Sequence, residues 1–130
     1  MARTNIPLTT LTKDAILQEP AGTAVDVANG HYIDCSTVKS GKLLIWINNT
    51  FAGSKIVTVK AGANPPAFRQ AIGDNALTVT TTSRAFVMLE SARYIQAPGG
   101  TDGGTGNRIF LDIAAAMTGT IAAVFLPDTV

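Results

Sequence analysis

The stretch KLLIWINNTFAGSKIVTVKAG, residues 42–62, decides how the chain folds. Its first part, 43–48, is a run of branched and aromatic side chains, and its last part, 55–60, alternates valine with lysine and threonine. Both patterns predict β-strands. The Asn, Thr, Gly and Ser residues between them favour a turn, so we expect the two strands to fold back on each other as a hairpin.

The first strand of this stretch carries large apolar side chains on both faces. Leu44 and Trp46 lie on one face, and Leu43, Ile45 and Ile47 lie on the other. This pattern is typical of a strand that is covered on both sides, either in the middle of a sandwich or at a contact between subunits. Stacking of Trp46 on a sugar is one alternative, but among these neighbours we expect it to be a core residue.

Length and composition favour a single all-β domain. A chain of 130 residues is long enough for one core, because it buries roughly two thirds of the surface that its unfolded form exposes. Hydrophobic residues make up 46% of the chain and charged residues only 15%, so we expect part of the surface to contact protein rather than water. Short strands separated by turn signals favour a β-sandwich or jelly roll.

We predict about eight strands and no long helix. The predicted strands occupy 23–27, 31–34, 43–48, 55–60, 77–82, 84–96 with a break at 90–92, 108–113 and 120–126. Single helical turns are considered at 13–18 and 67–72. The glycine-rich segment 98–107 is expected to be a mobile, exposed tip. The β-sandwich domain is therefore placed at 21–130, after an N-terminal arm at 1–20.

The N-terminal arm lacks the periodicity of a helix or of a long strand. Ile6, Leu8 and Leu11 are apolar residues along it that need a surface to bind. Two interpretations stay open: an extended arm that contacts another protein chain, and an edge strand that folds over its own domain. Under the first interpretation, removing residues 1–11 should weaken attachment to a partner while the domain stays folded.

Charge and cysteine content argue against several classes of partner. Ten Lys and Arg against nine Asp and Glu give a net charge of +1, without a basic stripe that would bind nucleic acid. The single cysteine, Cys35, excludes an internal disulfide. The N-terminus lacks the pattern of a secretion signal, and no apolar run approaches the ~20 residues of a membrane helix. We therefore expect neither nucleic acid nor a membrane as partner.

The residue pattern does not predict an enzyme. His31 is the only histidine, and although Asp34 and Cys35 follow it closely, no nucleophile motif surrounds them. We expect a partly exposed histidine at a strand edge and a small, buried cysteine. The segment 98–107 lacks the Gly-Lys-Ser/Thr ending of a phosphate loop and the several oxygen ligands of a calcium site. We predict no catalytic residue, cofactor, metal or small-molecule substrate.

Four carboxylates lie on different predicted strands and do not suggest an acid and base pair. We expect them to lie on a solvated face or to pair with arginines. The carboxylates are Asp26, Asp34, Glu90 and Asp112, and the arginines are Arg84, Arg93 and Arg108.

Five phrases of the sequence, taken together, point to a protein family. They are MARTNIPLTTLT at 1–12, EPAGTAVDVANGH at 19–31, VTVKAGANPPA at 57–67, ESARYIQ at 90–96 and RIFLDIAAAMTGTIAAVFLP at 108–127. With these phrases the chain resembles the head decoration, or cement, proteins of tailed bacteriophages and prophages. The shared features are turns and core positions, and the glycine-rich segment 98–107 is longer than the family pattern.

The resemblance implies a β-sandwich that binds the outside of an icosahedral shell and stabilises contacts between major capsid protein subunits. It implies a homotrimer, located on the capsid exterior of the virion and in the host cytoplasm before assembly. The arm residues expected to contact the capsid are Arg3, Asn5, Ile6, Leu8 and Leu11. The residues expected at the subunit interface are Ile121, Ala123 and Phe125.

Two other functions stay open. A tail, baseplate or head-fibre component would attach at one vertex or along the tail. A carbohydrate-binding sandwich for host attachment would need exposed aromatic side chains, for which the candidates are Tyr32, Phe51, Phe68, Tyr94 and Phe110.

Overall fold

The chain is an all-β protein with two mixed sheets, in a computed structural model that describes residues 2–38, 42–63, 72–89, 93–97 and 106–127. The strands are β1 (Thr4–Asn5), β2 (Leu8–Thr10), β3 (Thr23–Ala24), β4 (His31–Asp34), β5 (Leu43–Asn49), β6 (Lys55–Val59), β7 (Asn75–Val79), β8 (Arg84–Met88), β9 (Ile95–Gln96), β10 (Arg108–Ile113) and β11 (Gly119–Phe125). Most of the predicted tip at 98–107, Glu90, and residues 67–71 of the turn considered at 67–72 lie outside the described residues.

Strands of the two sheets are intermixed in sequence order. The first sheet has the order β1, β4, β10, β6 and β7, with β9 pairing to β10. The second sheet has the order β2, β11, β5 and β8, with β3 pairing to β11. Among the described strands, only the two N-terminal ones make parallel pairs, β1 with β4 and β2 with β11. The main strands predicted from the sequence are present, with ends that differ by a few residues.

The hairpin predicted for 42–62 is wrong, although both of its strands exist. β5 lies in the second sheet between β11 and β8, whereas β6 lies in the first sheet between β10 and β7. The link 50–54 therefore crosses from one sheet to the other. Because β5 is apolar on both faces, its local pattern fits either connection, and the long-range pairing along both of its edges decides between them.

Apolar residues of both sheets form one core. Leu43, Ile45 and Ile47 of β5 and Val57 of β6 are at most 1% exposed. Side chains alternate along a strand, so the even-numbered residues of β5 point away from this core. Trp46, which we expected in the core, lies instead on the outer face of the second sheet and is only partly buried.

The N-terminal segment folds over its own domain, as in the second of the two interpretations. β1 pairs with β4 and β2 pairs with β11, so this segment joins the two sheets. Ile6, between these two strands, is 1% exposed and belongs to the core. Deleting residues 1–11 would remove this core side chain together with both strands, so the truncated domain is no longer expected to stay folded.

A buried histidine anchors this N-terminal segment. His31 is 0% exposed rather than partly exposed as predicted. The backbone N–H of Asp26 donates to Nε2 of His31 at 2.8 Å, which leaves the ring proton on Nδ1, 3.3 Å from the carbonyl oxygen of Thr4. The Thr4 hydroxyl in turn donates to the Asp26 carboxylate at 2.7 Å. This hydrogen-bond cluster joins β1 to β4 and needs a neutral imidazole.

Protonation of His31 is expected to destabilise the fold. Burial lowers the pKa of His31 from 6.5, the Thr4 carbonyl and the Asp26 carboxylate oppose this shift, and Arg3 adds to it. As the pH decreases, His31 is therefore protonated in the unfolded chain before it is protonated in the folded protein. The free energy of unfolding falls as the pH decreases below 6.5, the ordinary pKa of histidine. We expect a loss of at most about 2 kcal/mol between pH 7 and pH 5, measured by urea denaturation.

The control for this prediction is His31→Gln, which removes the only histidine. Hydrogen bonds from Thr4 and Asn29 lower the pKa of Asp26 to about 2, so this carboxylate keeps its charge over the tested range. The variant should be less stable than the natural chain at pH 7 but should lose little further stability at pH 5. An equal loss in both proteins would assign the pH dependence to other groups.

Candidate functional site

The candidate functional site is the outer face of the second sheet. The pairing register places three rows of side chains across β8, β5 and β11, with neighbours directly opposite one another. The polar row is Arg84, Asn48 and Thr120, the aromatic row is Phe86, Trp46 and Ala122, and the aliphatic row is Met88, Leu44 and Val124. The face therefore changes from polar to apolar along the strands.

The apolar side chains of this face are exposed on β8. Phe86 is 58% exposed and Met88 is 53% exposed. The ring of Trp46 lies beside that of Phe86, with centroids 5.1 Å apart and planes tilted by 50°. Large apolar side chains that are grouped in this way mark a contact surface, whereas scattered ones do not. Covering each of the two exposed side chains would contribute on the order of 1 kcal/mol.

β8 also presents backbone hydrogen-bonding groups. Among the described strands, it lies at one end of the second sheet, and β2 lies at the other. The N–H of Asn49 donates to the carbonyl of Ser83 at 2.9 Å, and bonded pairs alternate along an antiparallel ladder. By this alternation the backbone groups of Phe86 and Met88 point away from β5. The same residues thus combine exposed apolar side chains with a sheet edge that can accept another strand.

The residues predicted for the subunit interface lie on the opposite face of β11. Ile121 is 0% exposed and Ala123 is 1% exposed, both in the core, and Phe125 packs against that core. This prediction is therefore corrected: the outer face of β11 is formed by the alternate residues. Both faces of the strand are apolar, so the sequence pattern did not distinguish between them.

The arm residues predicted to contact a capsid do not form one exposed surface. Among them Ile6 is buried, Arg3, Leu8 and Leu11 are partly buried, and Asn5 is exposed. Arg3 forms an ion pair with Asp112 at 2.7 Å and donates to the carbonyl of Leu111 at 3.0 Å. These contacts commit most of the segment to its own domain.

Cations lie over the aromatic rings that we considered as sugar platforms. The distances from cation to ring centroid are 4.6 Å for Arg3 and Phe110, 4.1 Å for Arg108 and Tyr32, 4.1 Å for Lys55 and Phe51, and 4.8 Å for Arg93 and Tyr94. Phe68 lies outside the described residues. The four described rings therefore already have a cation over them, and Trp46 and Phe86 are the aromatic side chains that the outer face of the second sheet adds.

The residues considered for catalysis are held in other contacts. Backbone groups meet both ring nitrogens of His31. Cys35 is buried, as predicted, and burial raises the pKa of its thiol to about 12, so the thiol stays protonated. The ion pair of Arg84 differs from the expectation, because its partner, at 2.9 Å, is Glu19, which is not one of the four carboxylates considered.

The described residues contain neither a candidate metal site nor a membrane-spanning helix. Among these residues, no group of three or more His, Cys, Asp and Glu side chains could hold a metal ion. In the same part of the chain, no helix is long and apolar enough to cross a membrane. Comparison with protein-family models, curated proteins and solved structures finds no match for this chain.

Phe86 and Met88 were not among the candidate residues predicted from the sequence. The signal was present, because both alternate with Ala85 and Val87 in the run RAFVM, so this strand is apolar on both faces like β5. We attributed that pattern only to β5 and β11. The described residues leave the outer face of this strand, at Phe86 and Met88, more than half exposed.

Proposed function

We propose that this chain is a non-enzymatic structural subunit of a tailed-bacteriophage virion. In this role it is a capsid decoration protein that binds the outside of the head and stabilises contacts between major capsid protein subunits. The observation that carries the proposal is the exposed pair Phe86 and Met88 beside an edge of β8 to which no described strand pairs. A strand added at this edge would gain main-chain hydrogen bonds and cover both side chains. The resemblance of the five sequence phrases supports the phage context.

The proposal assigns the two sheets different roles. The outer face of the first sheet carries ion pairs, between Arg3 and Asp112 and between Lys60 and Asp74, which suit contact with water. The outer face of the second sheet is the surface for protein. Weak contacts repeated over a lattice stabilise a shell collectively, so each copy needs only a small surface. The N-terminal segment supports this surface from within the domain instead of reaching out as an arm.

The finer fold and the oligomer belong to the same proposal. The links 50–54, 80–83 and 114–118 each connect a strand of one sheet to a strand of the other. Such crossings support a β-sandwich of the jelly-roll type. A homotrimer that buries part of the aliphatic row would present the remaining apolar surface to the capsid. Sedimentation velocity at micromolar concentration should therefore show a trimer, and a monomer would contradict this assignment.

Substitution of the exposed residues should weaken binding to capsids. We expect Phe86→Ser and Met88→Ser each to weaken binding at least about tenfold, because each removes an exposed apolar anchor at the contact. Binding is measured by cosedimentation with shells assembled from the major capsid protein of the same virus. The matched control is Ile56→Ser, since Ile56 is 44% exposed on the outer face of the first sheet.

The proposal fails if Ile56→Ser weakens shell binding as much as the two β8 variants, or if none of the three changes it. Gold-labelled protein should cover the head of the particle. Label confined to the tail or to one vertex would instead support a tail, baseplate or head-fibre component.

A further inference from the structure

The polar end of the outer face contains a cleft. It has a volume of about 300 Å³ and lies between the second sheet and the segment 19–21. Its lining includes Trp46 and the whole polar row, Arg84, Asn48 and Thr120. We refer to it as the Trp46 cleft. It shares Trp46 with the aromatic row but does not include the exposed aliphatic side chain of Met88.

The register explains why a depression forms here. Trp46 stands directly opposite Ala122 on β11, so a large ring borders a very small side chain. On the other side, Phe86 packs against the indole and holds its orientation. The wall formed by 19–21 is fastened to the sheet by Glu19, whose two carboxylate oxygens lie 2.9 and 3.2 Å from Nη1 of Arg84.

The chemistry of the lining matches that of a sugar ring. A pyranose has an apolar face of C–H groups, which packs on an aromatic ring, and a rim of hydroxyls that both donate and accept hydrogen bonds. Trp46 offers the ring, Asn48 offers a donor and an acceptor, and Thr120 offers a hydroxyl. Few polar groups placed around an apolar wall are typical of small-ligand sites.

The charges of the cleft favour a neutral ligand. Arg84 and Glu19 neutralise each other, and their side chains remain 56% and 50% exposed, so both keep hydrogen-bonding capacity toward a ligand. An unpaired arginine would have favoured a phosphate or a carboxylate instead. We propose that the Trp46 cleft binds one sugar unit of a neutral glycan. This inference stands on the cleft alone and does not depend on capsid binding.

The experiment uses the fluorescence of the protein itself. The chain has one tryptophan, so its emission reports on the Trp46 cleft directly. The full chain is titrated with neutral oligosaccharides that end in glucose, galactose or N-acetylglucosamine. At least one should cause a saturable change, with a dissociation constant on the order of 1 mM, as expected for one sugar unit on a shallow site.

Four variants test whether saccharides bind in the Trp46 cleft or elsewhere on the protein. Asn48→Ala and Thr120→Ala should each weaken binding at least about fivefold, because each removes one hydrogen-bonding group. Thr78→Ala, an exposed threonine on the first sheet, and Met88→Ser should leave saccharide affinity unchanged. Since Met88→Ser is expected to lose shell binding, its two measurements distinguish this inference from the proposed function.

The inference is overturned if no saccharide of the panel changes the emission. It is also overturned if the change persists with equal affinity in Asn48→Ala and Thr120→Ala, or if Thr78→Ala weakens binding as much as they do. An anionic sugar that binds more tightly than every neutral one would overturn the assignment of a neutral ligand.

Discussion

Replacing Gly119 with alanine is expected to lower the free energy of unfolding by about 3 kcal/mol or more. Gly119 opens β11 with φ at +137°, a conformation that side chains rarely adopt. A Cβ atom there would overlap the carbonyl oxygen of Asn48 and lie 3.0 Å from its carbonyl carbon and 3.3 Å from the N of Thr50. These are backbone atoms of the neighbouring strand and link, so they can yield only if β5 and β11 separate.

Variants at two other glycines distinguish the two causes of this loss, a strained backbone and overlap with neighbouring atoms. Gly73 has φ at +66°, and no described residue lies within 4 Å of an added Cβ, so Gly73→Ala should cost only the strained backbone, about 1–2 kcal/mol. Among the described residues, an added Cβ at Gly53 would meet only the ring of Phe51, at 3.4 Å, so Gly53→Ala should change stability little. Urea denaturation measures the loss of stability in the three variants, which should decrease from Gly119→Ala to Gly73→Ala to Gly53→Ala. A loss at Gly119 no larger than that at Gly73 would show that the two strands can move apart cheaply.

Asn49 is expected to be the second most sensitive position. Its side chain is fully buried at the end of β5. Its Nδ2 donates to the carbonyls of Gly53, Val79 and Thr80 at 3.0, 3.2 and 3.0 Å, and its Oδ1 accepts from the N–H of Phe51 at 3.0 Å. One amide thus joins β5 of the second sheet to the end of β7 of the first. Asn49→Ala should cost about 3 kcal/mol, because several buried backbone groups lose their partner.

The variant Asn49→Asp tests whether hydrogen bonding or shape is responsible. It keeps the size of the side chain but replaces both N–H donors by an oxygen that faces carbonyl oxygens. We therefore expect it to be at least as unstable as Asn49→Ala at pH 7. Asn48→Ala is the matched control, since Asn48 is the same residue type, one position earlier, on the outer face. If Asn49→Asp is as stable as the natural chain, the amide donors contribute nothing.

The link after β5 could be predicted only in part from the sequence. Asn49 and Gly53 were correctly associated with a change of chain direction, because such residues favour turns wherever they occur. A short link leaves two outcomes open, a hairpin within one sheet or a crossing to the facing sheet. The crossing follows from contacts that the local sequence does not contain, namely the pairing of β5 with β11 and β8 and the reach of Asn49 to Val79.

The candidate site, too, could be predicted only in part from the sequence. From the sequence alone we predicted that apolar strand surface exceeds what one small domain can cover, and the exposure of Phe86 and Met88 agrees with this at a strand that we had not selected. The N-terminal segment was open to two interpretations, because its apolar residues needed a surface that the sequence could not locate. Burial of Ile6 between β1 and β2 provides that surface within the chain.

Residue types along the chain were enough to predict a protein built of β-strands, the positions of most of those strands, and several strands that are apolar on both sides. These properties are local, since residue type and alternation along a strand set them. Long-range contacts in the folded chain set which sheet each strand joins and which face of β5, β8 and β11 meets the core. A period of two defines two faces without saying which is inside, and pairing between distant segments settles that choice.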